Sequence, residues 1–342
     1  MEGSSGNVGP TPQLHLSELR TTNVPRVDRP DRPRVCVLGA VPAEISAALS
    51  GSFDLLDHPE GADGLLSLLT TPVDAALLDR AGPGLAVVAN YAVGVDNVDL
   101  GAARARGVVV ANTPDVLTDA TAELAIALTL ALLRRLVEGD RFVRARSAWT
   151  FSLEFMLGRS LRGARFLVVG PGRIGRATAA LADALGARTS FAGRGADLHA
   201  LLGQADVVSL HVPLLPETRH LIDARALAAM QPTAVLVNTA RGAVVDEPAL
   251  VAALRSGTIA GAALDVFEHE PLPADDPLVS LDNVILTPHW NASTADVFRA
   301  TGRAMALGMI QVSRGELPDN VVNRDVLARP GFIEKLRRFS TG

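Results

Sequence analysis

The sequence predicts an α/β protein with two doubly wound parallel-sheet domains, on the basis of three observations. Short apolar runs alternate with helical patterns from residue 34 onward, and this rhythm is typical of a parallel sheet covered by helices. The chain has 342 residues, which is long for one hydrophobic core and favours two domains. Aromatic residues make up only 4%, so the core must consist of Ala, Val, Leu and Ile, which suits buried parallel strands.

Composition and charge narrow the class of protein further. Hydrophobic residues make up 48% and charged residues 20% of the chain, as in a soluble globular protein. The net charge of −5, with no basic run, argues against nucleic acid as a partner. The apolar stretch at residues 122–133 is too short to span a bilayer, and no signal peptide is evident. We therefore expect a cytoplasmic protein without a membrane partner or a metal site, and a buried, unreactive Cys36.

The first domain is expected to follow a tail. Residues 1–33 are rich in Gly, Ser, Pro, Arg and Asp without periodicity, and we expect them to be disordered. Strands are predicted at 35–38, 53–56, 65–69, 85–89 and 108–111, and helices at 42–49 and 73–79. Val93 and Gly94 follow the fourth strand, where exposed backbone N–H groups can bind an anion. An ordinary βα turn explains that segment equally well.

A long helical pattern runs from Thr118 to Arg144, with Thr118 or Asp119 at its start. Its apolar residues are too many to lie on one face of a helix, so the helix must be buried on most sides. Either the core of a domain or a contact between two copies of the chain would bury it, and we favour a homodimer.

The second domain is expected over residues 113–290 and is organised around a glycine-rich segment. An apolar strand at 166–170 leads into Gly-Pro-Gly-Arg-Ile-Gly at residues 170–175, and a helix follows at 176–185. This order of strand, turn and helix is the dinucleotide fingerprint. Gly170 permits the tight turn, Gly172 lets a pyrophosphate approach, and Gly175 lets the helix pack close to the strand. The amino end of that helix attracts phosphates.

Five further strands are predicted in this domain, at residues 189–193, 207–212, 234–239, 262–267 and 283–287. Six strands match a complete dinucleotide-binding sheet, for which the usual order is 3-2-1-4-5-6. A helix at 294–314 is expected to return the chain to the first domain, which then comprises residues 34–112 and 291–330. The full prediction is a Rossmann cofactor domain and a smaller flavodoxin-like substrate domain.

Three reactive side chains follow the last three predicted strands: Arg241, Glu270 and His289. Because ligands bind beyond the carboxyl ends of strands in such sheets, we expect the three to converge on one crevice beside the cofactor. Arginine can hold a carboxylate and polarise the adjacent carbonyl, histidine can donate a proton, and a carboxylate can orient the imidazole. These types suit hydride transfer to a 2-oxo acid. The other histidines are expected to have no catalytic role: His15, His58, His199, His211, His220 and His269.

The segment after the second strand of this sheet bears on the choice of nucleotide. NAD is usually held there by an Asp or Glu that accepts the ribose hydroxyls. This strand ends instead in Gly193 and Arg194, so no carboxylate would repel a 2′-phosphate and Arg194 could bind one. We therefore expect NADP to be preferred to NAD. Asp197 is expected to cap the next helix.

The motifs in combination resemble the D-isomer-specific 2-hydroxyacid dehydrogenase family over roughly residues 60–330. The segments that carry this resemblance are residues 170–175, 238–242 (Asn-Thr-Ala-Arg-Gly), 265–271 (Asp-Val-Phe-Glu-His-Glu-Pro) and 287–289 (Thr-Pro-His). Residues 90–97, 113–123 and 139–144 make the chain most similar to the glyoxylate/hydroxypyruvate reductases within that family.

The resemblance implies NAD(P)H-dependent reduction of a small 2-oxo acid to the D-2-hydroxy acid. Arg241 would bind the substrate and stabilise charge, His289 would be the acid/base, and Glu270 its partner. The backbone of Val93 and Gly94 would contact the substrate carboxylate. The residues implied or expected to line the cofactor site are Thr118, Gly170, Gly172, Arg173, Ile174, Gly175, Gly193, Arg194, Val212, Thr239, Ala240 and Asp265.

One departure from the family pattern leaves the size of the substrate open. A glycine usually stands two positions after the histidine, whereas this chain reads His289-Trp290-Asn291. A short D-3-phosphoglycerate dehydrogenase is an alternative enzyme. A nucleotide-sensing transcriptional corepressor is an alternative of another class, because some relatives of that kind keep the same arginine, glutamate and histidine. The lack of a basic surface run makes the corepressor the less favoured alternative.

Overall fold

The computed structural model describes residues 32–39, 41, 43–150 and 152–340. Residues 1–31 of the predicted tail lie outside the described residues. The chain divides into two compact units: the described residues up to Pro114 together with those from Arg299 onward, and Asp115–Phe298. Within the described part, no helix is long and apolar enough to cross a bilayer, and no group of side chains could hold a metal ion.

The two units contain the following elements. The strands are β1 (Arg34–Leu38), β2 (Asp54–Leu56), β3 (Gly64–Leu68), β4 (Val87–Tyr91), β5 (Val109–Ala111), β6 (Arg165–Val169), β7 (Arg188–Ala192), β8 (Val207–Leu210), β9 (Val235–Asn238), β10 (Gly261–Leu264) and β11 (Val284–Leu286). The helices are α1 (Ala43–Ser50), α2 (Ala75–Ala81), α3 (Leu100–Ala105), α4 (Thr118–Leu133), α5 (Leu136–Arg144), α6 (Arg173–Ala184), α7 (Leu198–Leu202), α8 (Ala224–Ala229), α9 (Glu247–Ser256), α10 (Ala295–Ser313) and α11 (Pro330–Ser340).

The first unit is built on a parallel sheet in the order β2-β1-β3-β4-β5. This order is that of flavodoxin-like sheets, as predicted. Cys36 is buried in its core, as expected. The C-terminal segment is tied to β5 by buried Asn323, which accepts a hydrogen bond from Val110 N at 2.8 Å and donates one to Val108 O at 2.9 Å. Phe332 of α11 packs in a separate small core together with Val109 of β5.

The second unit is built on a parallel sheet in the order β11-β10-β9-β8-β6-β7. Two parallel-sheet α/β units are therefore confirmed, but the predicted order 3-2-1-4-5-6 is wrong. The third strand of this sheet, β8, pairs directly with the first, β6, with Phe166 opposite Val207. The sheet changes its direction of growth at β6, so the switch point lies between β6 and β8.

The prediction of one continuous helix over residues 118–144 is also wrong. The chain breaks between α4 and α5 at Arg135, whose φ of 53° lies in the left-handed region. The Arg135 guanidinium pairs with Glu138 in the first turn of α5, with an Nη2–Oε1 distance of 2.5 Å. The apolar surface of α4 packs inside the second unit, and Ile126 and Leu128 belong to the same core as β6. The core of this unit therefore accounts for the apolar character of α4, and the homodimer stays a prediction.

The glycine-rich turn joins β6 to α6, which begins at Arg173 rather than at the predicted residue 176. Gly170 has a φ of +101°, a conformation that other residues rarely adopt. A Cβ on Gly175 would lie 2.2 Å from Gly170 O and 2.9 Å from Val168 Cγ1. A Cβ on Gly172 would meet nothing within 4 Å. Gly175 is thus needed for packing, whereas Gly172 keeps open the space in front of the helix.

Gly175→Ala should lower the free energy of unfolding by about 1–3 kcal/mol, because the added methyl group must displace backbone. Gly172→Ala is the matched control, since φ at Gly172 is −76° and its surroundings are open; it should change the unfolding free energy by less than about 0.5 kcal/mol. Denaturant titration of both variants measures the difference. Equal stability of the two variants would contradict this account of the turn.

Candidate active site

Three turns meet at one edge of the sheet in the second unit. Asn238, Leu264 and Leu286, the last residues of β9, β10 and β11, lie opposite one another in the parallel register. The segments that follow are the Arg241 turn (residues 239–244), the Glu270 turn (residues 265–271) and the His289 turn (residues 287–291). Because parallel strands end at the same edge, these turns are neighbours.

His289 and Glu270 form a hydrogen-bonded pair between two of these turns. The distance from His289 Nδ1 to Glu270 Oε2 is 2.6 Å, and Glu270 Oε1 accepts a second hydrogen bond from Phe267 N at 3.0 Å. A carboxylate only accepts, so Nδ1 carries the proton and Nε2 is the ring atom able to exchange one. The φ of His289 is 52°, an uncommon conformation outside glycine. The pair therefore fixes both the orientation and the tautomer of the imidazole.

The charge of Arg241 affects the Glu270 carboxyl of this pair. Burial alone would raise the pKa of the Glu270 carboxyl, but hydrogen bonds from His289 and Phe267 hold that pKa below its usual value, and the positive charges of His289 and Arg241 add to the effect. The carboxylate form is thus favoured at neutral pH. The structure brings together the three residues that were predicted to converge.

The Arg241 turn is held by buried Asn238 at the end of β9. The Asn238 side chain donates to Arg241 O at 2.9 Å and accepts from Ala240 N at 3.0 Å. Arg241 Nη1 donates to Ala240 O at 2.7 Å. These contacts fix the backbone from which the planar guanidinium extends, and a guanidinium can hold a carboxylate through two parallel hydrogen bonds.

Asp265 and Asn291 connect all three turns. The fully buried carboxylate of Asp265 accepts hydrogen bonds from Thr287 Oγ1 at 2.6 Å, Trp290 N at 3.1 Å and Asn291 N at 2.9 Å. Burial raises the pKa of Asp265, and these hydrogen bonds oppose the rise. Asn291 Nδ2 donates in turn to Thr239 O at 3.2 Å. The residue that departs from the family pattern therefore braces the His289 turn against the end of β9.

The residues around the glycine-rich turn fit a dinucleotide. The amino end of α6 faces the open space at Gly172, where backbone N–H groups favour phosphate oxygens. Val212 lies beside Gly170, and Gly193 lies beside Pro171. Among the described residues, Thr239 Oγ1 is buried without a hydrogen-bond partner. A buried hydroxyl of this kind is a ready contact for a ligand.

Other predicted cofactor residues have different surroundings. Thr118 is the first residue of α4. The Arg173 side chain forms an ion pair with Asp115, with an Nη1–Oδ1 distance of 2.6 Å. The Arg194 side chain is 90% exposed, and its Nη2 lies 3.7 Å from Glu217 Oε1. A phosphate would have to compete with these carboxylates for the two arginines.

The predicted substrate contacts Val93 and Gly94 belong to the first unit. Their carbonyl groups accept hydrogen bonds from the side chains of Asn112 and Asn90, both at 2.8 Å. The resemblance assigns the backbone of this segment to the substrate carboxylate, and that contact stays a prediction.

The structure places one further histidine beside these turns. His220, which was expected to have no catalytic role, pairs through Nε2 with Glu268 Oε1 in the Glu270 turn. No local pattern could reveal this contact, because 48 positions separate the two residues. His211 is a buried histidine, as expected, with Nε2 at 2.8 Å from Ser209 Oγ, and burial lowers its pKa to about 4.

Comparisons with known proteins agree with this architecture. Residues 126–291 match the family described as D-isomer specific 2-hydroxyacid dehydrogenase, NAD binding domain. A glyoxylate reductase from Korarchaeum cryptofilum is 42% identical over 333 residues, which are 88% of this chain and 99% of that relative.

Solved structures give the same result. A crystal structure of a protein from Thermus thermophilus has a TM-score of 0.79 at 41% identity, covering 84% of this chain and 99% of that one. The NADPH-dependent glyoxylate/hydroxypyruvate reductase from Sinorhizobium meliloti, solved with NADP and malonate, has a TM-score of 0.75 at 34% identity, covering 85% and 97%. The chain belongs to the D-isomer-specific 2-hydroxyacid dehydrogenase family.

Proposed function

We propose that the protein reduces glyoxylate, hydroxypyruvate or a similar small 2-oxo acid to the 2-hydroxy acid with a nicotinamide cofactor. The observation that carries the proposal is the His289–Glu270 pair under the charge of Arg241. It combines a proton donor, its orienting carboxylate and a carboxylate-binding cation at one sheet edge. The relatives named glyoxylate reductase support the same reaction.

Arg241, His289 and Glu270 have different tasks in this reaction. The Arg241 guanidinium binds the substrate carboxylate and polarises the neighbouring carbonyl. His289 Nε2 gives a proton to the oxygen that becomes negative during reduction, and Glu270 stabilises the ring through Nδ1. A nicotinamide cofactor, when bound, would supply the hydride. The backbone of Val93 and Gly94 stays a predicted contact for the substrate carboxylate.

The cofactor is proposed to be NADP in preference to NAD. The glycine-rich turn and the amino end of α6 would hold the pyrophosphate. Thr118, Val212, Thr239, Ala240 and Asp265 would line the remainder of the site. Gly193 offers no carboxylate to repel a 2′-phosphate, and Arg194 could bind one in place of Glu217.

The loss of NADPH absorbance with a panel of 2-oxo acids tests the proposed function. We expect turnover with glyoxylate and hydroxypyruvate. Exclusive reduction of 3-phosphohydroxypyruvate, the 2-oxo acid that corresponds to D-3-phosphoglycerate, would favour the alternative dehydrogenase. Nucleotide binding without turnover of any 2-oxo acid would favour the corepressor-like alternative. The cytoplasmic location stays a prediction.

His289→Ala should lower kcat by about 10²–10⁴-fold, because the proton donor is lost. The dissociation constant for the nucleotide should stay nearly unchanged, since the glycine-rich turn is intact. Steady-state kinetics and fluorescence titration measure the two quantities. His269→Ala, an exposed neighbour, is the control and should retain activity. A loss of nucleotide affinity in His289→Ala would assign the residue another role.

Gly193→Asp should shift the preference toward NADH, because a carboxylate there repels a 2′-phosphate and accepts ribose hydroxyls. The side chain can be accommodated, since the nearest atom to an added Cβ is Pro171 Cγ at 3.4 Å. Gly193→Asn, of equal size but neutral, separates charge from bulk. The ratio of kcat/KM for NADPH and NADH is the measurement. A wild-type enzyme that already prefers NADH would refute the proposed NADP preference.

A homodimer is proposed on the exposed apolar patch that follows α4. Its large apolar side chains are Leu136, Val143, Trp149, Leu153, Phe155 and Leu157. Exposed apolar groups concentrated in this way are typical of a protein–protein interface.

Leu153→Asp should convert the dimer to a monomer in light scattering, because Leu153 is 85% exposed and would be buried in the interface. Val279→Asp, at a 53% exposed site outside the patch, should leave the dimer intact. A monomeric wild-type protein would contradict the proposal.

A further inference from the structure

We propose that His220 is a positioning residue for the reduction, because it fastens the Arg241 turn to the Glu270 turn. Its effect on turnover rests on the proposed function. Its structural effect rests only on contacts within the second unit.

The two turns pack backbone against backbone at Gly242. A Cβ at this position would lie 1.8 Å from Phe267 C and 2.4 Å from Glu268 N. No side chain can therefore stand between the Arg241 turn and residues 267–268. Since no side chain can adjust there, the relative position of the turns depends on the groups that tie them together.

His220 ties both turns at once. Its backbone N–H donates to Ala243 O at 2.8 Å in the Arg241 turn. Its ring Nε2 pairs with Glu268 Oε1 in the Glu270 turn. Its φ is 51°, a left-handed conformation that is uncommon for histidine. This backbone bend allows one residue to reach both partners.

Glu268 is also held from its other side. Its N–H donates to Glu247 Oε1 at 2.6 Å, and Glu247 is a buried residue at the start of α9. Burial raises the pKa of Glu247, the hydrogen bond from Glu268 N opposes the rise, and the negative charge of Glu268 adds to it. The Glu268 side chain is only 17% exposed. His220 thus supplies a hydrogen-bond donor to a shielded carboxylate that has a second carboxylate close by.

The position of residues 267–268 sets the geometry of the catalytic pair. Phe267 N donates to Glu270 Oε1 at 3.0 Å, and Glu270 Oε2 accepts from His289 Nδ1 at 2.6 Å. If the tie through His220 is lost, the Glu270 turn can move relative to Arg241, and the His289 ring follows Glu270. Misplacement of reacting groups by about 1 Å costs on the order of 10²-fold in rate.

The test compares His220→Ala with His220→Gln and with a control, His58→Ala. Gln places an amide donor near the position of the ring Nε2, whereas Ala removes the donor. His58 is exposed in the first unit and pairs with Asp57 and Glu60. Two readouts are followed in the full chain: steady-state kinetics, and the NMR signal of the Nδ1 proton that His289 shares with Glu270.

His220→Ala should lower kcat/KM for the 2-oxo acid by about 10- to 100-fold, with a rise in KM as well as a fall in kcat. The dissociation constant for NADPH should be unchanged, because the glycine-rich turn is separate. The Nδ1 proton signal of His289 should shift or exchange faster. His220→Gln should restore kcat/KM to within about threefold of wild type, and His58→Ala should change neither readout.

Unchanged kinetics and an unchanged proton signal in His220→Ala would overturn the proposal. A His220→Gln protein that folds but does not recover the kcat/KM of the wild type would also overturn it. If His220→Ala does not fold, Glu268→Ala and His220→Gln are compared instead. A normal Nδ1 proton signal of His289 in Glu268→Ala then overturns the proposal. If the wild type turns over no 2-oxo acid, the proposed function fails. The NMR signal then decides the positioning role independently.

Discussion

The site depends on the parallel register of β9, β10 and β11. Because Asn238, Leu264 and Leu286 end their strands side by side, Arg241, Glu270 and His289 reach the same edge although 48 positions separate the first from the last. The strands are short and almost wholly buried. A shift of one residue in any of them would exchange the side chains that pack in the two cores on opposite faces of the sheet, so packing fixes the register and thereby the site.

Three connections then fix the turns relative to one another. Glu270 and His289 join the second turn to the third, Gly242 and His220 join the first to the second, and Asn291 joins the third to the first. These contacts offset an uncommon left-handed backbone at both histidines. Strain of this kind persists only where surrounding contacts over-determine the conformation, and it is concentrated at functional sites.

Much of this architecture is predictable from sequence because its signals are local. Apolar runs locate the strands, and the glycine spacing locates the turn at residues 170–175 because close packing at Gly175 tolerates no side chain. The pairing of β8 with β6 was not predictable, since strand order depends on contacts between distant segments. The break at Arg135 is not predictable either, because arginine gives no sign in the sequence of a left-handed conformation. The ion pair of Arg173 with Asp115 and the contact of His220 with Glu268 are likewise non-local.

The central claim is that Arg241 and His289 at this edge hold a 2-oxo acid and protonate its carbonyl oxygen, while a bound nicotinamide would supply hydride to its carbonyl carbon. Incubation with hydroxypyruvate and NADPH deuterated at both C4 positions tests it most directly, through mass and chiral analysis of the product. One deuterium at C2 of a product with the D configuration is the predicted result. A product without deuterium at C2, or one of the L configuration, would contradict the account.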